Sequence, residues 1–311
     1  MFSYIVRRLF SLIPIIIGVT LAIFLLLNVL PGNPARLMAG PYAPQETVDS
    51  IAETMGFNDP LPKQYFRFLG NLLQGDLGTS FRSRNAVAGE VAAVFPKTLL
   101  LAFTSQIFSV VVGVFLGMVA ALRRGSLADR LVMIAGVLGL SLPAFFLALL
   151  LQIIFSVFLG LLPPSGYGGL DLHIIMPTLA LGIPGAGWMA RVSRSAFLEV
   201  LPQDFMRTLR AKGLPENKVI WKHVLKNALV PIISLIGTDF SAKLAGIIVV
   251  EYIFSWPGIG KYGYDALFAK DMPALQATII VLTISVCIVN LVVDILYAVI
   301  DKRIRFTKTG E

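Results

Sequence analysis

Asp239 and Lys243 lie four residues apart inside the apolar run Leu229–Val250, so on a helix they share a face and can pair. Ionisable groups within an apolar span are costly and face either a cavity or the interior of a helix bundle. Two readings follow. With Ser234, Thr238 and Ser241 the pair forms a polar lining for a charged solute, or it is a structural ion pair between helices. Neither is bond-making chemistry, and the rest of the chain supplies none. The single cysteine, Cys287, builds no disulfide framework or thiolate metal site. His173 and His223 sit in different segments, and there is no H-E-x-x-H motif and no serine–histidine or cysteine–histidine set. Isolated serines in apolar helices bond to the carbonyl of the preceding turn. No catalytic residue and no metal ligand is assigned.

A second set of residues suggests mechanical work. Asp204-Phe205-Met206-Arg207-Thr208-Leu209-Arg210-Ala211-Lys212-Gly213-Leu214 follows Pro202. Asp204 near the start and Gly213 at the end bound a short helix, and cations toward its C-terminal end suit the helix dipole. Val219, Ile220, Val224 and Leu225 come next, spaced to face an apolar bundle. A short, stiff helix anchored at both ends by membrane segments transmits force to a soluble partner. A solvated basic loop that only sets topology is the other reading. The chain has no G-x-x-x-x-G-K-[ST] phosphate loop, so any nucleotide-driven step belongs to a separate chain.

The elements that position these residues are membrane helices. The 311 residues are 56% hydrophobic and 14% charged, against about 25% charged in soluble proteins. Continuous apolar blocks reach the roughly 20 residues that cross the hydrocarbon core, and unalternated blocks specify helices rather than a barrel. Six spans are predicted: Leu9–Leu30, Thr98–Leu122, Leu131–Leu159, Ile174–Ala190, Leu229–Val250 and Leu275–Ile300. The first is expected to be a retained span rather than a cleaved signal, because it is long and no small-residue cleavage pattern follows it. Pro143 should kink the third span. Pro177, Gly182, Pro184, Gly185 and Gly187 suggest that the fourth is broken. The net charge is +8, and the cations gather at span ends rather than in a nucleic-acid patch. Arg7, Arg8, Arg123, Arg124, Arg130, the run from Arg191 to Lys226, and Lys302, Arg303, Arg305 and Lys308 fall on one side, which places both termini in the cytoplasm.

Two outer segments are expected to fold. In residues 31–97, Pro44 to Met55 reads as a short helix with Gly56 past its end, and Tyr65, Phe68, Leu69 and Leu72 mark one face of a second helix before Gly75. In residues 251–273, Phe254-Ser255-Trp256-Pro257-Gly258-Ile259-Gly260, with Tyr262 and Tyr264, suggests a re-entrant or interfacial element; an aromatic belt at the headgroups is the alternative. Glu251 is read either as a contact for a solute or outer protein, or as a solvated helix end. Asp294, one turn after Asn290, is expected to pair with Arg7, Arg8 or Arg303.

Asp204 to Leu214, followed by His223-Val224-Leu225-Lys226-Asn227-Ala228-Leu229, resembles the coupling loop of binding-protein-dependent ATP-binding-cassette importers, most closely the subgroup moving dipeptides, oligopeptides, glutathione and nickel. The resemblance runs from Arg7-Arg8-Leu9 through Leu30-Pro31-Gly32-Asn33-Pro34, Gly75-Asp76-Leu77-Gly78-Thr79-Ser80 and Phe254–Gly260 to Asn290–Tyr297, and follows the "B" type permease. Leu209 stands where the subgroup commonly has alanine, and Asn33 where an aspartate is often found.

The resemblance implies an all-α polytopic membrane protein of the type I importer permease fold. Residues 1–30 would hold the N-terminus and first span, 31–97 an extracytoplasmic helical segment, and 98–311 the permease core with coupling loop 192–228 and outer loop 251–273. It implies ATPase coupling through Asp204, Phe205, Arg207, Thr208, Arg210, Ala211, Lys212, Gly213 and Leu214, and an outer loop carrying Glu251, Trp256, Pro257 and Gly258. The fifth span, with Ser234, Thr238, Asp239, Ser241 and Lys243, is the preferred wall of the path. The implied partners are a "C" type permease, two cytoplasmic ATPases that use ATP and Mg, an extracytoplasmic binding protein and the lipid bilayer of a bacterial or archaeal inner membrane. The chain itself would bind no cofactor and no nucleic acid. An ion-coupled secondary transporter is the rival class, but it would show paired broken helices in two halves.

Overall fold

The computed structural model describes residues 2–29, 33–40 and 42–300, with side chains over 10–26, 33–40, 42–229 and 231–295. In chain order the helices are α1 (Phe2–Val29), α2 (Pro34–Ala39), α3 (Gln45–Met55), α4 (Leu61–Leu73), α5 (Val87–Leu122), α6 (Leu127–Ser141), α7 (Ala144–Leu151), α8 (Ile175–Val200), α9 (Asp204–Ala211), α10 (Glu216–Lys218), α11 (Leu225–Ile253), α12 (Ile259–Ala269) and α13 (Met272–Ile300). Wider π turns continue α7 over Gln152–Phe158 and lead into α11 over Val219–Val224. Among the described residues there is no strand, only one isolated bridge between Thr79 and Ala86.

Four helical stretches are long and apolar enough to cross a membrane: Val87–Leu122, Leu172–Val200, Pro231–Ile253 and Met272–Ile295. The pair Leu127–Ser141 and Ala144–Phe158 qualifies as a fifth if taken together. α1 carries the shorter apolar stretch Phe10–Leu26. Leu30, Pro31 and Gly32 of the first signature, and the tail cations Lys302, Arg303, Arg305 and Lys308, lie outside the described residues.

Three local expectations are corrected. Pro143 does not kink a continuous span; it separates two helices bent by 104°. Leu142 is extended (φ −88°, ψ 124°) and Pro143 caps α7, because the residue before proline is pushed out of the helical region. The fourth span is not broken: α8 runs unbroken to Val200, ten residues beyond the expected Ala190. Pro177 falls in its first turn, where no helical donor is needed, and the glycines serve close packing instead. A Cβ on Gly187 would lie 2.5 Å from the Gly136 carbonyl oxygen, and one on Gly185 would lie 2.6 Å from Ser109 Oγ. Finally, residues 31–97 contain three short helices rather than two, and α5 begins at Val87, well before Thr98.

The helices divide into two compact units. The first is built mainly from Leu99–Trp256, with residues 286–300 of α13. Leu101, Met176, Leu181, Phe240, Leu244, Ile247, Phe254 and Trp256 form its main core. The second comprises Leu9–Thr98 and Pro257–Ser285. There Phe68 and Leu72 of α4 pack against Ile23 and Ile280, and the Tyr65 hydroxyl lies 3.1 Å from Thr20 Oγ1. Asn33 Oδ1 accepts from the Arg36 amide at 3.2 Å. Asparagine and aspartate cap helices about equally well, so this departure from the family pattern preserves the cap. The Gly75–Ser80 signature builds a turn: Asp76 Oδ1 accepts from the Gly78 amide at 2.8 Å, and Ser80 Oγ donates to Asp271.

Candidate functional site

α9 is an amphipathic peg. Met206 is fully buried among Met118, Phe197, Val200, Val219, Val224 and Ala228, and Phe205, Leu209 and Leu214 pack against the same cluster. The opposite face is open. Asp204, Arg207, Thr208, Arg210, Ala211 and Lys212 are all exposed, and Arg207 and Asp204 are 3.9 Å apart with side chains 84% and 99% accessible. A pair that open contributes little to stability, which leaves both charges free for a partner. Gly213 adopts φ +74°, and its amide donates to the Arg210 carbonyl at 2.9 Å. That left-handed geometry is why glycine ends this helix.

The peg is braced on two sides. Arg210 donates through Nε and Nη2 to the two oxygens of Glu216 at 3.2 and 2.8 Å. The guanidinium holds the Glu216 carboxyl below the ordinary glutamate range, and the carboxylate raises Arg210 in turn. Further along, Val219 and Val224 are fully buried beneath α9, with Ile220 and Leu225 partly so. Their spacing in the sequence gave that orientation correctly. Leu209, the unusual residue of the loop, is one of the side chains that seat the peg. Sequence reasoning counted Arg194 only as a topology cation, yet it forms a two-point bond with Asp129, linking α8 to α6. A separation of 65 positions leaves no local signal.

α11 presents two different faces. Ser234, Thr238, Ala242 and Ala245 are exposed at helical spacing, followed by Val249 and Tyr252. Ser234 Oγ and Thr238 Oγ1 donate back to the carbonyls of Pro231 and Ser234, so the stripe is small and mildly polar. Ser241 is half-buried and donates to Asn290 Oδ1 at 3.1 Å. Asp239 and Lys243 lie on the inward face, both buried and ion-paired. Lys243 Nζ also donates to Gln106 Oε1 of α5 at 3.0 Å. Gln106 was not singled out from sequence, although an amide within an apolar block was a visible signal.

The residues expected in an outer loop are more enclosed than either sequence reading required. Glu251 is fully buried rather than at a solvated helix end. Trp256 is also fully buried, edge-on to Tyr167 with ring centroids 4.8 Å apart, so it is a core residue and not part of a headgroup belt. Its amide donates to the Glu251 carbonyl at 2.8 Å. Gly258 caps α12 in an extended conformation after Pro257, and the Ile259 amide donates to Thr98 Oγ1 at 2.7 Å. Tyr262 donates to Glu90 at 2.7 Å; burial first, then the carboxylate, push its hydroxyl pKa upward. Asp294 lies on α13, while the side chains of Arg7, Arg8 and Arg303 lie outside the described residues.

The chain matches two family descriptions: "Binding-protein-dependent transport system inner membrane component" over residues 113–306 and its N-terminal counterpart over residues 1–102. It is similar to the glutathione transport system permease protein GsiC of Salmonella paratyphi A, 44% identical over 306 residues that cover 98% of this chain and 100% of the relative. The protein of the same name from Escherichia coli K12 is 42% identical over the same coverage. Among solved structures, the MetNI methionine ABC transporter in inward facing conformations superposes with a TM-score of 0.57 at 20% identity, covering 68% of this chain and 95% of that chain. The likeness is one of fold.

Proposed function

The chain belongs to the family of binding-protein-dependent transport system inner membrane components and is a permease subunit of an ATP-binding-cassette importer; from this premise we propose that α9 is the helix through which cytoplasmic ATPases drive it. The carrying observation is the division of α9 into a face sealed by Met206 and a face of exposed Asp204, Arg207, Thr208, Arg210 and Lys212. A helix seated on one side and open on the other conveys the displacement of whatever docks on it.

In this reading both termini are cytoplasmic, and residues 31–97 and 251–273 face outward to a solute-binding protein. ATP and Mg are bound by two ATPase chains, and this chain performs no catalysis. A second permease of the "C" type completes the path, which the open stripe of α11 lines on this side. ATP acts through its different affinity for the two membrane states. The solutes are di- or oligopeptides. The names of the relatives favour glutathione, itself a peptide, within that class, and nickel or another metal chelate, or an oligosaccharide, comes next.

The test is cross-linking within the assembled importer. With Thr208→Cys, a short bifunctional reagent should join this chain to an ATPase subunit, and ATP with vanadate should alter the yield. Labelling of the same cysteine by an impermeant reagent from outside sealed cells would overturn the reading.

A further inference from the structure

Three spans pass one polar knot near their centres. Gln106, Gly185 and the Asp239–Lys243 pair each lie close to the midpoint of Val87–Leu122, Leu172–Val200 or Pro231–Ile253. On the reading that these three helices cross the bilayer, the knot lies within its apolar interior. Gln106, Asp239 and Lys243 are only 6%, 5% and 4% exposed. The absent side chain of Gly185 makes the room: a Cβ there would fall 2.6 Å from Asp239 Oδ1.

The hydrogen bonding of this knot does not close. Lys243 Nζ donates to Asp239 Oδ2 and Gln106 Oε1, two of the three donors an ammonium carries. Gln106 Nε2 is buried with no partner among the described residues. A purely structural ion pair needs no extra amide, and leaving buried N–H groups unmade is unfavourable. The buried Gln106 amide and the third lysine donor can therefore serve an incoming oxygen acceptor. The knot also lies just behind the open stripe, since Asp239 and Lys243 adjoin the exposed Thr238 and Ala242. The flexible four-carbon stem of lysine can carry its charge between the two faces.

Resting on the reading of α11 as the wall of the path, we propose that Asp239, Lys243 and Gln106 form a mid-membrane site for a zwitterionic solute. Lys243 and Gln106 Nε2 take the solute's carboxylate, and Asp239 takes its ammonium. One internal ion pair is exchanged for two pairs with the solute, so charge balances before and during occupancy. A solute with one blocked terminus would leave Asp239 or Lys243 uncompensated in the membrane, which is strongly disfavoured.

The experiment uses the complete importer in proteoliposomes. ATP-dependent uptake of a short peptide with free termini is compared with that of its N-acetylated and C-amidated analogues, all at concentrations that saturate the binding protein. The wild type should favour the free peptide at least tenfold. The ratio of free to blocked uptake should collapse toward one in the double variant Asp239→Asn with Lys243→Met, and fall several-fold in Gln106→Leu. An unchanged ratio, or free and blocked peptides losing uptake in step, would make the knot structural and overturn the proposal. Should the double variant fail to assemble, the Gln106→Leu ratio decides by the same criteria. A wild type that transports neither form overturns the peptide reading itself and the site with it, whereas transport at an unchanged ratio overturns the site alone.

Discussion

Arg194 grips Asp129 with two parallel hydrogen bonds, Nε to Oδ1 at 2.6 Å and Nη2 to Oδ2 at 2.8 Å. Asp129 is buried and also accepts from the Gly125 amide at 2.9 Å. Removing the guanidinium strands a buried carboxylate. Arg194→Ala should therefore destabilise the chain by on the order of 2 kcal/mol, read as a lower melting temperature of the detergent-solubilised protein. Arg194→Lys should recover only part of the loss, because an ammonium cannot reproduce the fork.

Seating and docking of α9 should separate by mutation. Met206→Ala opens a cavity in the cluster that holds the peg and should cost roughly 2–5 kcal/mol, with faster protease cleavage between 201 and 218. Arg207→Glu leaves the packing intact, since the side chain is open, and should lower transport-linked ATPase activity at unchanged thermal stability. Equal melting losses in the two variants would contradict the two-faced description.

Gly213 tests the geometry of the elbow. Its φ of +74° excludes proline, which fixes φ near −65° and has no amide to donate. Gly213→Pro should uncouple ATP hydrolysis from uptake while the membrane helices keep their circular-dichroism signature. Gly213→Ala meets no neighbour and should show a milder defect through strain alone.

The brace between Arg210 and Glu216 predicts a pH dependence. The Glu216 pKa is depressed in the folded chain, so its contribution is present above the ordinary glutamate value and is lost as pH falls through the lowered folded value. Both side chains are about half exposed, which keeps the effect below about 1 kcal/mol. In hydrogen exchange, Glu216→Gln should loosen α9 relative to wild type at pH 7, and the difference should vanish in acid.

The sequence made some of this legible and concealed the rest, for physical reasons. Periodicity located the peg, because alternation between Met206 or Leu209 and the charged positions follows the helical repeat. Capping located α3, through Pro44 and Gly56. The glycines of α8 misled, because a glycine that breaks a helix and one that admits a neighbouring backbone look alike in one dimension; only the approach of Gly136 to Gly187 separates them. Trp256 was legible only in part. Tryptophan beside proline and glycine suggests a folded element or a headgroup belt, and the belt is excluded only by Tyr167, which covers the indole and is far away in the chain. Pairings such as Asp129 with Arg194 or Ser80 with Asp271 are products of tertiary structure and leave no mark on local pattern.

Trp221 stands in the turn that supports the peg and is 54% exposed, while Trp256 is sealed from solvent. The chain has three tryptophans, and these two sit at opposite extremes of exposure. Red-edge excitation therefore selects Trp221, and a soluble subunit settling over the elbow should shift its emission to the blue while leaving that of Trp256 in place. The protein carries its own optical gauge of occupancy, readable without a dye.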